Sequence, residues 1–346
     1  MYDIIVIGAG PTGATAAKAL ADSGLKVLIV ERMKLPRYKS CSGVLIKKSM
    51  DLVQQYFGQA VPVSAMCTPT DNHGMILTDD KGKEYVFEQE GVNIWRSTFD
   101  NRLTENAVEA GAELRDCTSA ISCEQSADHI TLRLHSDKTY TEQARYIIDC
   151  EGVTSVIKRK ALGTTPEFVT TFQTFNEGNV KLDPHYFYAY LQPELSEYDA
   201  WFNVKDEMLV LGVAVRDTSK IPRYYNNFIR YMQENHGLAI TKTIKQELWL
   251  MPHIRSGCKI DYGMGRLFFA GEVAGFLNPM GEGISAGMES GHSVALSVIE
   301  HFEAPASVLN DYKKRTEMLR VYMRRQWHFV AGMSETFGEM KAALYQ

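Results

Sequence analysis

An α/β fold is predicted, with a Rossmann-like nucleotide-binding domain interrupted by an antiparallel β-sheet domain and followed by C-terminal helices. Three observations predict it. An apolar strand runs into a glycine turn and a small-residue helix at the start of the chain, short β-branched and aromatic segments fill the middle, and a second glycine-rich block, residues 267–291, precedes a helical C-terminus. The two patterns alternate along the chain instead of dividing it into halves. The nucleotide domain is therefore assigned to 1–60, 93–165 and 259–300, the substrate domain with its antiparallel sheet to 61–92 and 166–258, and a C-terminal helical segment to 301–346.

The first strand, from Tyr2 to Ile7, leads into Gly8-Ala9-Gly10-Pro11-Thr12-Gly13 and then an alanine-rich helix to Ser23. In that context G-x-G-x-x-G marks a dinucleotide site. Gly8 permits the tight turn, Gly10 lets the backbone approach a pyrophosphate, and Gly13 lets helix pack on strand. The helix N-terminus, at Pro11 and Thr12, presents free N–H groups and a positive dipole end to the phosphates. A second strand, Lys26 to Val30, ends at Glu31 and Arg32, and the Glu31 carboxylate is placed to accept a ribose 2′-hydroxyl. An acid there favours NAD or FAD over NADP, and the motif leaves those two open.

Next come a basic loop, Met33 to Ser42, and a short helix around Leu45 to Tyr56. Strands are expected near 61–66, 74–78 and 84–87, with turns at 68–72 and 79–83. Phe99, Leu103, Ala107 and Ala110 recur at helical spacing, with Ser97 as the expected cap and Gly111 as the stop. Strands near 113–123, 129–135 and 144–149 lead to the turn Cys150-Glu151-Gly152. From Phe168 to Val215, runs such as Tyr186 to Tyr190 and Leu209 to Val215 read as an antiparallel sheet. A helix from Pro222 to Asn235 and a strand at 246–250 follow. Helices are expected over Ser285 to His301 and Leu309 to Ala342.

The chain has 346 residues, 45% hydrophobic and 23% charged, with a formal net charge of -5, an ordinary globular composition. A dedicated nucleic-acid binder needs a basic surface, so nucleic acid is not an expected partner. The first strand starts too early for a signal peptide and no apolar run is long enough to span a bilayer, so a cytoplasmic protein is expected. The six cysteines form no C-x-x-C pair, so no metal is expected.

Residues 267–291 repeat the logic of the first motif: a strand ends at Gly271-Glu272, a loop follows, and a small-residue helix starts near Gly283 and Ile284. A second backbone N–H cradle with an acid at the strand end has no use in an NAD dehydrogenase. With these residues the chain resembles the flavoprotein hydroxylase superfamily typified by p-hydroxybenzoate hydroxylase, and within it the geranylgeranyl reductase family, up to about residue 300. The resemblance implies FAD as cofactor. It implies Gly8, Gly10, Gly13 and Glu31 at the adenosine and pyrophosphate end, Glu151-Gly152 in support, and Gly271-Glu272 at the ribityl chain. The loop Asn278 to Ile284, with Gly281 and Gly283, would then lie along the flavin. Both acids are Glu where the family has Asp, which keeps the charge and moves the carboxylate by about one methylene. Arg96, in Arg96-x-x-x-Asp100-x-x-Leu103, matches a family signature and is expected at the phosphates.

Arg37 to Gly43 is similar to the reductases' cysteine loop beside the flavin ring and makes Cys41 the candidate catalytic residue. Tyr198, Trp201 and Phe202 resemble the aromatic signature of the reductases' substrate pocket, with Asn203 where the family has Pro. The resemblance implies an FAD-dependent reductase of carbon–carbon double bonds in an isoprenoid or other apolar substrate, with hydride leaving reduced flavin N5. The external electron donor, NAD(P)H or ferredoxin, is left open. The alternatives are a monooxygenase that hydroxylates an aromatic or polyketide through a flavin C4a-hydroperoxide, and a degenerate flavin-binding module. A halogenase is disfavoured by the lack of a W-x-W-x-I-P segment. Lys313, Lys314, Arg315, Arg320, Arg324 and Arg325 beside Met318, Leu319, Tyr322, Met323 and Trp327 suggest a basic amphipathic helix that could touch membrane peripherally or simply pack on the body.

Overall fold

A computed structural model describes residues 1–165, 167–253, 259–279 and 281–335. Cys258, Met280 and the end of the expected last helix, 336–342, lie outside the described residues. The chain opens with β1 (Tyr2–Ile7), α1 (Pro11–Asp22), β2 (Val27–Val30), β3 (Val44–Ile46) and α2 (Lys47–Phe57). It continues through the hairpin β4 (Met66–Thr78) and β5 (Glu84–Ile94), then α3 (Arg96–Glu109), β6 (Glu113–Arg115), β7 (Ser119–Gln125), β8 (Ile130–His135), β9 (Thr139–Asp149) and α4 (Val156–Leu162). The middle holds β10 (Phe168–Asn179), β11 (Tyr186–Tyr190), β12 (Ala200–Lys205), β13 (Met208–Val215), α5 (Ile221–His236) and β14 (Ala239–Pro252). It closes with β15 (Gly263–Met264), β16 (Leu267–Phe269), α6 (Ile284–Glu300), α7 (Pro305–Arg315) and α8 (Glu317–Ala331).

These strands form two sheets. In the first, β16, β9, β1, β2 and β6 lie side by side in parallel, with β15 at one edge and β7–β8 joined antiparallel to β9. The β1 and β2 side chains Ile4, Ile5, Val6, Leu28 and Ile29 have no exposed surface, as expected where helices cover both faces of a parallel sheet. The second sheet runs β14-β10-β13-β12-β11-β4-β5-β3. It is antiparallel except where β11 lies parallel to β4, from Tyr186–Gly74 to Tyr190–Thr78, which corrects the fully antiparallel expectation. Those two strands come from separate stretches of the chain, so no hairpin dictates their direction.

Three local expectations are also corrected. The segment 68–72 is not a turn: it lies within β4 as an irregularity in pairing, with register shifts between Met66 and Asp71 and between Asn72 and Gly74. Ser97 does not cap α3. Trp95 occupies that position with no side-chain cap bond, because Ser97 already lies inside the first turn. The long terminal helix breaks into α7 and α8 at Thr316, whose hydroxyl donates to the Tyr312 carbonyl at 2.8 Å and meets the Tyr262 hydroxyl at 2.9 Å.

The helix α8 bridges the two halves of the molecule. Leu319 and Met323 join the core of the first sheet, while Trp327, Val330 and Ala331 join the cluster under the second. The Trp327 indole donates to the Leu277 carbonyl at 3.3 Å, and Phe329 meets Phe87 edge-on at 5.6 Å. The apolar stripe of this basic helix is therefore buried on the protein. No described helix is long and apolar enough to cross a membrane.

Candidate functional site

Strand β1 must hand its chain to α1 within three residues, and the geometry of that turn admits only glycine at its ends. Gly8 has φ +99°, and a Cβ there would stand 2.6 Å from the Cys150 carbonyl oxygen at the end of β9. A Cβ on Gly13 would stand 1.9 Å from the Gly8 carbonyl oxygen. Gly10 differs: the Arg37 guanidinium at 3.4 Å is all that its Cβ would meet, so the space beside its backbone is open. No side chain caps α1, which leaves the Thr12 and Gly13 N–H groups as outward donors.

The distant glycine blocks converge on that turn. Thr12 is the contact point: a Cβ on Gly271, Gly287 or Gly291 would come within 2.5 Å of its hydroxyl or carbonyl. Helices α1 and α6 can cross there because no side chain separates them. The middle motif closes the third side, with Glu272 Oε2 only 3.1 Å from where a Cβ of Gly152 would be and 3.3 Å from the Val153 nitrogen. Glu151 turns inward and accepts from Val156 N–H and Ile157 N–H, both at 3.1 Å, and from the Ser155 hydroxyl at 2.9 Å, so it caps α4. Burial raises both the Asp149 and Glu151 carboxyls, and the neighbouring Glu151 charge raises Asp149 further.

Glu31 is buried at the tip of β2. It accepts from Ala9 N–H and Met33 N–H, both at 3.0 Å, and pairs with the Arg37 Nε at 3.3 Å. Arg37 reaches on to Asp100 at 3.2 Å. Asp100 also holds Arg96 in a two-pronged pair at 2.7 and 2.9 Å, fully inside the protein. The guanidinium lying over the first glycine turn is therefore that of Arg37, while Arg96 is committed to Asp100 and to the Cys41 side. Arg32 lies exposed at the rim.

These groups line one end of a continuous cavity of about 600 Å³. Gly8, Gly10, Pro11, Thr12, Glu31, Arg32, Cys41, Arg96, Glu151, Gly152, Glu272, Gly281, Gly283 and Ile284 all reach it, whereas Gly13 and Gly271 sit beneath it as packing glycines. The residues fit FAD. An open backbone cradle at a helix N-terminus suits a pyrophosphate, Glu31 and Glu272 offer carboxylate oxygens of the kind ribose and ribityl hydroxyls donate to, and a second helix N-terminus at Gly283 and Ile284 lines the same space. The loop into α6 is held stiffly. Glu282 N–H donates to the Asn278 side-chain oxygen at 2.9 Å, and the Glu282 carboxylate accepts from Ser285 N–H and Ser285 Oγ at 2.8 Å each.

Beyond this end, the cavity is walled by Met75, Phe87, Phe187, Trp201, Leu277 and Tyr322. Of the three aromatics expected at the substrate wall, Trp201 lines it. Phe202 does not, because alternation along β12 turns it to the far face, among Tyr188, Val204, Leu211 and Phe228. Tyr198 is buried behind the wall and meets His253 edge-on at 5.9 Å. The Trp201 ring lies flat across Gly212, whose Cβ would stand 2.1 Å from it.

Cys41 lies between the two ends. The Gly43 N–H reaches its sulfur at 3.4 Å, and Lys205 Nζ reaches its carbonyl at 3.5 Å. Burial resists ionisation of the thiol, but Arg96, Lys205, the Gly43 N–H and Lys39 outweigh it and hold the thiol below its ordinary value. Lys205 is 1% exposed, its ammonium 3.9 Å from the Trp95 ring centroid, and burial lowers its own pKa. Sequence reasoning missed Lys205, Asn203 and Arg37 as site residues. The available signal was in β12, where Trp201, Asn203 and Lys205 alternate with Ala200, Phe202 and Val204, and a strand buried on both faces has no structural reason to carry Asn and Lys on one of them.

Comparison with known proteins agrees with this geometry. The family described as FAD binding domain matches residues 1–324. Among curated relatives, the digeranylgeranylglycerophospholipid reductase of Methanosarcina acetivorans is 26% identical over 96% of this chain and 82% of its own. Digeranylgeranylglycerophospholipid reductase 1 of Methanopyrus kandleri is 27% identical over 91% of this chain and 86% of its own. A geranylgeranyl bacteriochlorophyll reductase-like protein from Thermoplasma acidophilum superposes with a TM-score of 0.81 at 20% identity, covering 99% of this chain and 90% of that one. A flavin-dependent brominase gives 0.76 at 14% identity, covering 98% and 90%, so fold alone does not separate the chemistries. The resemblance read from the second glycine block is borne out: the chain belongs to the FAD binding domain family and is an FAD-dependent oxidoreductase of the geranylgeranyl reductase type.

Proposed function

We propose that the protein reduces carbon–carbon double bonds in an isoprenoid or similarly apolar substrate. The observation that carries this reading is the apolar arm itself, Met75, Phe87, Phe187, Trp201 and Leu277, opening directly from the FAD cradle beside Cys41. The names of the relatives, reductases of geranylgeranyl lipids, support it. Reduced FAD supplies the hydride. The chain's own residues bind, orient and exclude water. Glu31, Arg37 and the Gly10 turn would hold the adenosine and pyrophosphate, Glu272 would take a ribityl hydroxyl, and the Gly283 and Ile284 N–H groups at the start of α6 would serve the electron-rich edge of the ring. Trp201, fixed by Gly212, shapes the arm against a bent chain and keeps it dry. Cys41, whose thiol Arg96 and Lys205 hold below its ordinary value, is the group we place against the ring.

The electron donor is an external reductant, NAD(P)H or ferredoxin, that meets the flavin in passing. Peripheral membrane contact would fall to Met318, Tyr322 and Phe329 with Arg324 and Arg325, the residues of α8 left outside the buried stripe, and vesicle flotation tests it. The reaction is tested by mixing dithionite-reduced enzyme anaerobically with geranylgeraniol. Flavin reoxidation together with a product two mass units heavier per bond supports the reading. Substrate-stimulated oxygen uptake with a hydroxylated product, and no saturation, replaces it with the monooxygenase.

A further inference from the structure

Strand β12 presents a polar stripe to the cavity side, and each member but one has a visible task. Asn203 donates to the Ser42 carbonyl at 3.2 Å and Lys205 reaches the Cys41 carbonyl at 3.5 Å, so both hold the cysteine loop. Asp199, one step before the strand and on the same side as Trp201, holds nothing. It is 9% exposed, it lines the cavity, and the one hydrogen bond its carboxyl makes is to its own amide. Among the described residues, no charged side chain acts on it. Its backbone carbonyl accepts from Ala214 N–H at 3.1 Å, and Ala214 belongs to the same apolar cluster as Trp201 and Leu277. Asp199 lines the same cavity as Trp201, Leu277 and the start of the glycine loop expected along the flavin. A carboxyl taken out of water without a partner is a standing cost to the fold, and the structure shows no packing reason for it.

Resting on the reductase reading, we infer that Asp199 is the catalytic acid. Saturating an alkene needs a hydride on one carbon and a proton on the other. The Asp199 O–H bond breaks, its proton and the alkene π pair form the second C–H bond, and the carboxylate left behind takes a proton back from water at the cavity mouth. The other candidates are otherwise engaged. The Cys41 sulfur is engaged by the Gly43 N–H and Arg96, and the Glu282 carboxylate is occupied by Ser285 and Asn278. Glu272 faces the Val153 N–H. Burial lifts the Asp199 carboxyl to about 7, so much of it carries a proton at neutral pH. Tyr322 of α8 and Glu282 of the glycine loop share the cavity wall, and neither contributes to that shift.

The test compares the FAD-loaded wild type with Asp199→Asn and Asp199→Glu, using geranylgeraniol. Infrared difference spectra of the apoprotein between acid and alkaline pH supply a readout independent of turnover: the wild type is expected to show a protonated-carboxyl band titrating near neutrality that Asp199→Asn lacks, the contribution of the raised Asp149 and Glu151 being common to both and cancelling between them. In single turnovers Asp199→Asn should be slowed at least about 100-fold, lose the fall in rate above neutral pH, and keep its FAD affinity, while Asp199→Glu recovers part of the rate. An unchanged rate or pH profile in Asp199→Asn overturns the assignment alone, as does a wild type with no such band. A wild type that titrates as expected yet saturates no alkene overturns the reductase reading, and the acid role with it.

Discussion

Replacing Gly10 and Gly13 separately by alanine distinguishes a glycine kept for the cofactor from one kept for the fold. At Gly10 the backbone is extended, φ -87° and ψ -178°, which alanine adopts freely, and the new methyl would meet Arg37 at an ordinary 3.4 Å. The apoprotein should therefore stay within about 0.5 kcal/mol of wild type. The same methyl fills the space left for the pyrophosphate, and an overpacking cost of about 2–3 kcal/mol moved into binding predicts roughly 30- to 150-fold weaker FAD affinity. At Gly13 the methyl would stand 1.9 Å from the Gly8 carbonyl oxygen, about 1.5 Å inside normal contact and against backbone that no side-chain rotation can move aside. Here α1 must shift off β1, and a loss of about 3 kcal/mol or more is expected with or without FAD. Thermal melts of the apoproteins and FAD titrations followed by flavin fluorescence measure both. Wild-type FAD affinity in Gly10→Ala would remove the pyrophosphate from this turn, and a wild-type melting temperature in Gly13→Ala would refute the strand–helix contact.

Other outcomes follow from the same geometry. Gly212→Ala drives a methyl to 2.1 Å from the Trp201 ring, and should alter tryptophan fluorescence and destabilise by about 1–3 kcal/mol, as read from denaturant melts. Lys205→Met removes a cation that favours the Cys41 thiolate, so alkylation of Cys41 followed by mass spectrometry should need higher pH than in wild type. Asp199 has a folded pKa near 7, above its unfolded value, so the folded state holds the proton more tightly and stability should fall as pH rises from about 4 to 7. Asp199→Asn removes that slope, worth up to about 4 kcal/mol above pH 7, as measured by urea melts across pH. Excess FAD at about 100 times its dissociation constant should stabilise the wild type by about 2.7 kcal/mol and Gly10→Ala by far less.

What was legible in the sequence was what repeats a local rule. The strand–turn–helix at Gly8 to Gly13, the acid at the tip of β2 and the helix start at Ile284 are each set by neighbours a few residues away, and they stand close to their expected positions. The packing of Gly271, Gly287 and Gly291 around Thr12 shows why those three are small, although spacing revealed only that they were numerous. Long-range relations were not legible. The parallel pairing of β4 with β11 joins segments about a hundred residues apart, and nothing in either marks the partner. Arg37 and Arg96 are likewise indistinguishable by type. Which one lies over the glycine turn is decided by Asp100, which accepts both and takes Arg96 in the two-pronged geometry.

The aromatic signature shows the same limit more sharply. Tyr198, Trp201 and Phe202 were grouped because they are large and close in sequence, yet a strand sends neighbours to opposite faces, so a site assigned to both Trp201 and Phe202 could not have held. Applying that period correctly selects Asp199, Trp201, Asn203 and Lys205 as one face, and three of those four are polar in a strand with no solvent on either side. A fold under selection for stability alone would fill those places with apolar side chains, as β13 does on the same face with Val210 and Ala214. The polar stripe of β12 thus marks where the sheet gives up stability for chemistry. Asp199 and Trp201 reach the cavity from a strand that carries no glycine motif, which is why motifs alone identified the cofactor and left this wall unread.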